Sequence, residues 1–548
     1  MLATVVLSHF FTSMMAALVL ADVLLLFAAL PGFRKADAPL LRRPWAVLAA
    51  EGFCTLLFAA WWVAPLFAER AWAVDFGGRW DIRFFRQLPP MATWPLLAAA
   101  AAGLATAVAT HVNKRLLLGW DGDGLWLYLH LELLCFSLLF FFVGGYLSDV
   151  FVNCRFWPFI VYSMLVVGAL AFAYASRKAG LQALGAAVCL CACLSFAWRA
   201  GGREDDPAWS RENHVRHWSR YNFEGLEAIR EGDVVRRIAD QVHGTGGRLS
   251  QDMHPGHEAL GSSRVFEALP HFCGKPVLEG GIVNSAMGSL AAYTVQCEIS
   301  QHPAGWPLLV KPPPFNPASG MRHLEFMNVR HFVARGRLVQ EAFDADAGWA
   351  RVGELGSGKW KLYRSSLESS SPVRVWKGAL PVFESTDLQR DLLEWMYVPA
   401  AVEWPAVLVG EGTPAPPGLA AQSHAQYVAW LASLTNGPPA AGWLDDCSTP
   451  CDDVEMLPDG GIRFRTASPG LPHVIAASWY PSWKARGADA VYFLTPGYMV
   501  VYPTGHEVDL RHEEGRIVLI SRWISIAMAA VLALLATKSW VRRATAGN

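Results

Sequence analysis

Residues 507–538 read EVDLRHEEGRIVLISRWISIAMAAVLALLATK. The opening alternates, with Val508 and Leu510 flanking Asp509, as a half-buried strand does. The remainder is apolar for about the 20 residues that a membrane-crossing helix needs. A strand that runs straight into a span ties a polar domain to a bilayer. Stretches of similar character lie at 3–31, 45–67, 92–112, 125–144, 156–176 and 181–198, so with 518–537 about seven spans are expected. The fifth and sixth lie so close together that they suit a tight helical hairpin. Between 199 and 517 no such stretch occurs, and that region is rich in charge, Pro and Gly.

Composition agrees. Of 548 residues 53% are hydrophobic and 17% charged, a balance unusual for a soluble globular protein. A formal net charge of −1 gives no basis for a nucleic-acid partner.

Short-loop cations set the orientation. Arg34, Lys35, Arg42 and Arg43, then Lys114 and Arg115, then Arg177 and Lys178, and finally Lys538, Arg542 and Arg543 all fall on one side of a seven-span chain, the cytoplasmic side. The loop at 68–91 departs from this. It carries Arg70, Arg79, Arg83 and Arg86, partly offset by Glu69, Asp75 and Asp81. This places 199–517 outside the cytoplasm and the chain as a multi-pass protein of the bacterial cytoplasmic membrane. Residues 1–31 lack the basic start and short apolar core of a signal peptide. An uncharged first helix is a weak start and suits a chain preceded by further helices.

The predicted fold class is a membrane α-helical bundle of about seven transmembrane helices plus an extracytoplasmic α/β and β-sandwich-like domain. Its parts are a six-helix region at 1–198, an α/β domain at 199–375, a β-rich domain at 376–517, and a final span with a basic tail at 518–548. In the α/β part, helices are expected at 224–243, 262–272 and 319–328, and strands at 248–253, 276–278, 329–333 and 358–363. In the β-rich part, short strands at 462–465, 474–479, 490–494, 498–502 and 508–510 point to a sandwich or jelly roll, with 411–420 a surface loop. Cys273, Cys297, Cys447 and Cys451 lie in the polar region, where an oxidising compartment allows disulfides. Cys447–Cys451 and Cys273–Cys297 are the expected pairs, a metal pair at Cys447 and Cys451 being the alternative.

Several segments together resemble a known group. They are Leu7–Thr12 (LSHFFT), Ala60–Pro65 (AWWVAP), Val277–Gly280 (VLEG), Leu324–Val333 (LEFMNVRHFV), Trp360–Tyr363 (WKLY), Ser478–Lys484 (SWYPSWK) and Pro503–His506 (PTGH). Their order resembles that of bacterial multispanning membrane proteins known as 6-pyruvoyl-tetrahydropterin-synthase-related, which are similar to the C-type membrane glycosyltransferase superfamily. The resemblance implies a cell-envelope glycosyltransferase that uses a polyprenyl-phosphate-linked sugar on the extracytoplasmic side. It also implies additional N-terminal helices and a catalytic carboxylate in the first extracytoplasmic loop. The first helix here resembles a later helix of the group, so that loop is expected either in a separately encoded N-terminal membrane subunit or upstream of a misassigned start. No zinc site of the soluble pterin synthase is recognisable.

Such chemistry needs a carboxylate base at the outer membrane face, cations for the phosphate and a groove for the lipid. Asp75 and Asp81 are the carboxylate candidates, with Arg79, Arg83 and Arg86 beside them. The competing account makes this loop an interfacial segment with snorkelling arginines and Trp72 and Trp80 in the aromatic belt. His9, near the outer face, is a further catalytic candidate. Asp22, Glu51, His130 and Glu132 lie in the cytoplasmic halves of their helices and suit packing or head-group contact.

Asp252-Met253-His254-Pro255-Gly256-His257-Glu258 follows a strand, where ligands bind in α/β folds. Asp252, His254, His257 and Glu258 are read as substrate contacts, with Glu279 facing the same crevice. A plain solvated loop and a divalent metal are the alternatives, although Pro and Gly forbid the regular helix of the zincin motifs. Trp306, Trp349, Trp360, Trp443, Trp479 and Trp483 could stack on sugars, against the blander account of core packing. The runner-up function is a non-catalytic carbohydrate-binding or scaffold subunit of a polysaccharide assembly complex. A transporter is disfavoured, since no paired Gly/Pro-broken helices occur.

Overall fold

The computed structural model describes residues 44–74, 132–138, 223–229, 231–279, 286–303, 312–410, 413–434 and 443–546, with single positions from 140 to 183. Two compact units emerge. One comprises Met1–Ala71, Gly77–Gly201 and Glu514–Asn548, the other Trp72–Phe76 and Gly202–Glu513.

In the first unit the span expected at 45–67 is two helices, α1 (Pro44–Phe58) and α2 (Ala60–Ala68). The break has a physical cause. Trp61 N–H, which an unbroken helix would direct to Leu57 O, donates instead to Ser525 Oγ at 3.0 Å. Ser525 Oγ donates in turn to Leu57 O at 3.1 Å. A hydroxyl of the C-terminal helix (Arg516–Ala546) thus sits inside the helical ladder. Pro65, with no N–H, leaves the Trp61 carbonyl without its usual donor. Arg516–Lys538, 23 residues, is long and apolar enough to cross a membrane. Trp523 and Leu534 are about 70% exposed along it. Residues 132–138 are helical. Most of the other expected spans lie outside the described residues.

The second unit begins its regular structure with α3 (Asp233–Val242). Val234, Val235, Ile238, Ala239 and Val242 bury one face at helical spacing. Gly244 and Gly247, at φ 68° and 72°, turn the chain into β1 (Arg248–Gln251). The expected helix at 262–272 is a 3-10 turn, Val265–Ala268, followed by a short helix, Leu269–Cys273. Residues around Val277 add a single parallel bridge to Leu249 of β1. Helices α4 (Ser289–Ile299) and α5 (Pro317–Phe326) follow. Then come β2 (Val329–Ala334), α6 (Arg337–Ala345), β3 (Trp349–Leu355) and β4 (Trp360–Ser365). The sheet order is β1-β2-β4-β3, with β1 and β2 parallel and the other pairs antiparallel. All six residues of β2 are buried, as befits a central strand.

The remaining strands are β5 (Val373–Trp376), β6 (Val382–Glu384), β7 (Val407–Val409), β8 (Ser448–Pro450), β9 (Val454–Met456), β10 (Ile462–Arg465), β11 (His473–Ser478), β12 (Trp483–Arg486), β13 (Tyr492–Leu494), β14 (Tyr498–Val501) and β15 (Glu507–His512). Helix α7 (Leu388–Met396) lies between β6 and β7. Among the described residues they form a seven-stranded sheet, β6-β7-β13-β14-β11-β5-β8, and a four-stranded sheet, β12-β15-β10-β9. Val474, Ile475 and Val500 of the larger sheet share one core cluster with Ile462, Phe464, Val508 and Leu510 of the smaller. The same cluster continues into Phe332, Phe343 and Tyr363 of the α/β part.

Residues just after α2 also join this unit. Ala73 forms an antiparallel bridge with Ala286, and its carbonyl accepts from Gln389 Nε2 at 3.1 Å. Trp72 meets Trp479 edge-on at 5.2 Å, and Val74, 2% exposed, lies in the core.

The expected disulfides are not formed, and the four cysteines are free thiols. Between Cys447 and Cys451 the chain runs as β8, paired with β5. Three extended residues carry it about 10 Å, beyond the reach of a disulfide. Cys273 Sγ donates to Leu269 O, and Cys297 is buried within α4.

Candidate functional site

The residues that the sequence pointed to follow the carboxyl end of β1, which pairs in parallel with β2. Asp252, directly after β1, is 1% exposed. Its Oδ1 accepts Arg335 N–H at 2.9 Å and its Oδ2 accepts Gly336 N–H at 2.7 Å. Those residues lead from β2 into α6, so the protein places its own carboxylate where a helix N-terminus attracts an anion. A Cβ at Gly336 would stand 2.9 Å from Oδ2.

His257 is fully buried. Trp360 Nε1–H donates to its Nδ1 at 3.0 Å, so the ring proton sits on Nε2. Nε2 donates to Asp252 O at 2.9 Å and lies 3.3 Å from Oδ1. Both nitrogens are engaged and neither is open to a metal ion. Among the described residues no group of three His, Cys, Asp or Glu side chains converges to hold one.

His254 faces outward and is half-buried. Its Nδ1 accepts Gly256 N–H at 2.8 Å and caps a 3-10 helix, Pro255–Leu260, in place of the expected loop. Burial holds the His254 imidazole below its usual pKa, with Asp252 opposing and Arg335 adding to the effect. The Arg335 guanidinium lies 5.1 Å over the Trp360 ring. The His302 ring is 6.5 Å from that of His254. Glu258 is exposed, and its carboxylate accepts Ser263 N–H at 3.3 Å.

Glu279 lies beside β1, where it accepts Ser250 Oγ–H at 2.7 Å. Burial pushes its carboxyl up to about 7, against the Ser250 hydrogen bond. Sequence reasoning missed its neighbour Glu267, 5% exposed and pushed up to about 8 by burial, with Arg264 opposing. Arg264 Nη1 stands 3.4 Å from Glu267 Oε2, a long contact, and Oε1 has no donor. Desolvation therefore outweighs the ion pair, and Glu267 holds a proton at neutral pH. No motif marks Glu267. Its signal lies in burial, which a sequence does not print.

A concave feature lies in the β-rich part. A groove of about 440 Å³ is lined by Trp479, Tyr480, Pro481, Trp483, Lys484 and Asp489. Trp479 Nε1–H donates to Val491 O at 3.0 Å and Trp483 Nε1–H to Ser478 O at 3.1 Å. The Trp479 ring packs edge-on to Phe493 at 5.5 Å, and that of Trp483 lies 3.7 Å from His512. Trp349 and Trp360, at 5% and 0% exposure, are core residues.

Asp75, Asp81, His9, Arg79, Arg83 and Arg86 lie outside the described residues, as do Asp22, His130 and the side chain of Glu51. Glu132 is buried.

No family model matches the chain, and no curated protein matches it. Among solved structures it is similar to the arabinofuranosyltransferase AftD from mycobacteria, at 11% identity and a TM-score of 0.29, over 92% of this chain and 44% of that one. The chain thus spans less than half the length of that protein, and the likeness is too slight to define a shared fold.

Proposed function

We propose that this chain is a cell-envelope glycosyltransferase-type membrane protein, or the C-terminal half of one. It acts on a polyprenyl-phosphate-linked sugar at the extracytoplasmic face of the bacterial cytoplasmic membrane. The observation that carries this reading is the 23-residue apolar helix that follows β15 of a large polar domain. The order of the sequence segments from Leu7 to His506 and the distribution of loop cations support it. In this reading about seven spans hold the chain in the membrane, with residues 199–517 outside. Asp75, Asp81 and His9 are the candidates for the base that activates an acceptor hydroxyl. Arg79, Arg83 and Arg86 hold the phosphate of the donor. Membrane lipid is a partner in this reading, and a separately encoded N-terminal subunit is a partner only if the enzyme is divided.

The test is sugar transfer from polyprenyl-phosphate donors by membranes containing the chain, with Asp75, Asp81 and His9 each changed to Ala. The expected result is a loss of at least a hundredfold in one of the three. Full activity in all three removes those assignments, and activity that requires a neighbouring gene product supports the divided enzyme. The aromatic groove favours a second reading, a non-catalytic carbohydrate-binding subunit. Saccharide binding with no transfer under any pairing selects it.

A further inference from the structure

We propose that the groove lined by Tyr480, Lys484 and Asp489 over Trp479 and Trp483 binds a neutral saccharide. This names the ligand class within the reading above, and it stands whether the chain transfers sugars or only holds them.

Size comes first. About 440 Å³ is within the range of small-molecule sites and takes a short run of sugar rings rather than a protein segment. Chemistry comes second. A pyranose or furanose offers an apolar C–H face and a rim of hydroxyls. The groove matches this with an aromatic and proline floor, Tyr480 and Pro481 being half-buried, beside exposed Lys484 and Asp489. Lys484 and Asp489 are in no ion pair among the described residues, so one donor and one acceptor of opposite charge remain for hydroxyls. Their charges cancel, which suits a neutral ligand and disfavours a phosphate or a uronic acid.

Rigidity comes third. The indole N–H groups of Trp479 and Trp483 are already bonded to backbone carbonyls, and their rings are fixed against Trp72, Phe493 and His512. Trp479 and Trp483, at 5% and 7% exposure, lie beneath the groove as core residues and hold Tyr480 and Lys484 above them on a backbone already ordered by folding. The adaptable contacts fall to exposed Lys484 and Asp489.

The purified full chain in detergent is applied to an array of neutral oligosaccharides built from hexose, pentose and N-acetylhexosamine units, with uronic-acid oligomers alongside. Binding to at least one neutral oligosaccharide is expected. For the best binder, titration followed by tryptophan fluorescence should show affinity reduced tenfold or more by Tyr480→Ala and by Lys484→Ala. Tyr480→Phe, which keeps the ring, should stay within threefold of the parent. Arg337→Ala, an exposed change on α6, should bind as the parent does. An array silent for neutral sugars, preference for uronic acids, or binding indifferent to Tyr480→Ala overturns the proposal. Transfer is not needed for this measurement, so saccharide binding without transfer leaves the groove assigned and the enzyme reading rejected.

Discussion

Asp252 shows how much one carboxylate can organise. It accepts two backbone N–H groups from the turn before α6 and faces the buried His257 ring. Asp252→Asn keeps the shape but loses the charge and turns an N–H₂ toward donors. Each charge-assisted bond is worth ~1.5–3 kcal/mol, so a loss of roughly 3 kcal/mol in chemical denaturation is expected. Glu267 gives a prediction of a different kind. The unfolded chain releases its proton near 4.5, whereas burial keeps it in the folded state up to about 8. The folded state therefore holds more protons between those values, and stability falls as pH rises through the window. Glu267→Gln should remove that slope. Its advantage over the parent should grow from near zero at pH 4.5 to roughly 4 kcal/mol at pH 8 in denaturant titrations. His331 acts with the opposite sign. Burial pushes it down to about 4, with the charges of Lys275, Arg364 and Arg330 adding to the effect. Its contribution is lost as pH falls from 6.5 towards 4.

At the scale of elements, legibility followed periodicity. The strand expected at 462–465 forms as Ile462–Arg465, because alternation along a strand with one face buried reports its two faces directly. The helix expected at 319–328 forms as Pro317–Phe326 and runs into β2 as read. Helix α4 gave no such sign. Every residue from Ser289 to Ile299 is buried, Gln296 and Glu298 included, so no polar face marks the helical period. Glu298 is accommodated because Ser319 Oγ–H donates to Oε1 at 2.8 Å and His323 Nδ1 lies 2.8 Å from Oε2, both from α5. The close approach of these helices depends on Gly320, where a Cβ would stand 2.3 Å from Ile299 Cγ2. Gly320→Ala gains helix propensity but must force the helices apart. A net loss of about 1–3 kcal/mol is expected in thermal unfolding. Around the end of β1, the sequence named Asp252, His254, His257, Glu258 and Glu279. It could not tell which faced solvent, since His257 is fixed by Trp360 from more than 100 residues away.

For the whole molecule, composition separated apolar ends from a polar middle, since that division depends only on local runs of sequence. Pairings across hundreds of residues leave no local trace. Trp72, Ala73 and Val74 illustrate this: in sequence they follow the apolar helix α2, and in space they meet Trp479, Ala286 and the core of the large domain. A gene fragment encoding only residues 202–513 would thus carry a slot with its key withheld. A synthetic peptide of residues 70–76, added in trans, should raise the melting temperature of that fragment by several degrees, and the same peptide with Trp72 and Val74 replaced by Ala should not. Complementation of this kind would turn a short piece of sequence into a reporter of when the domain has closed.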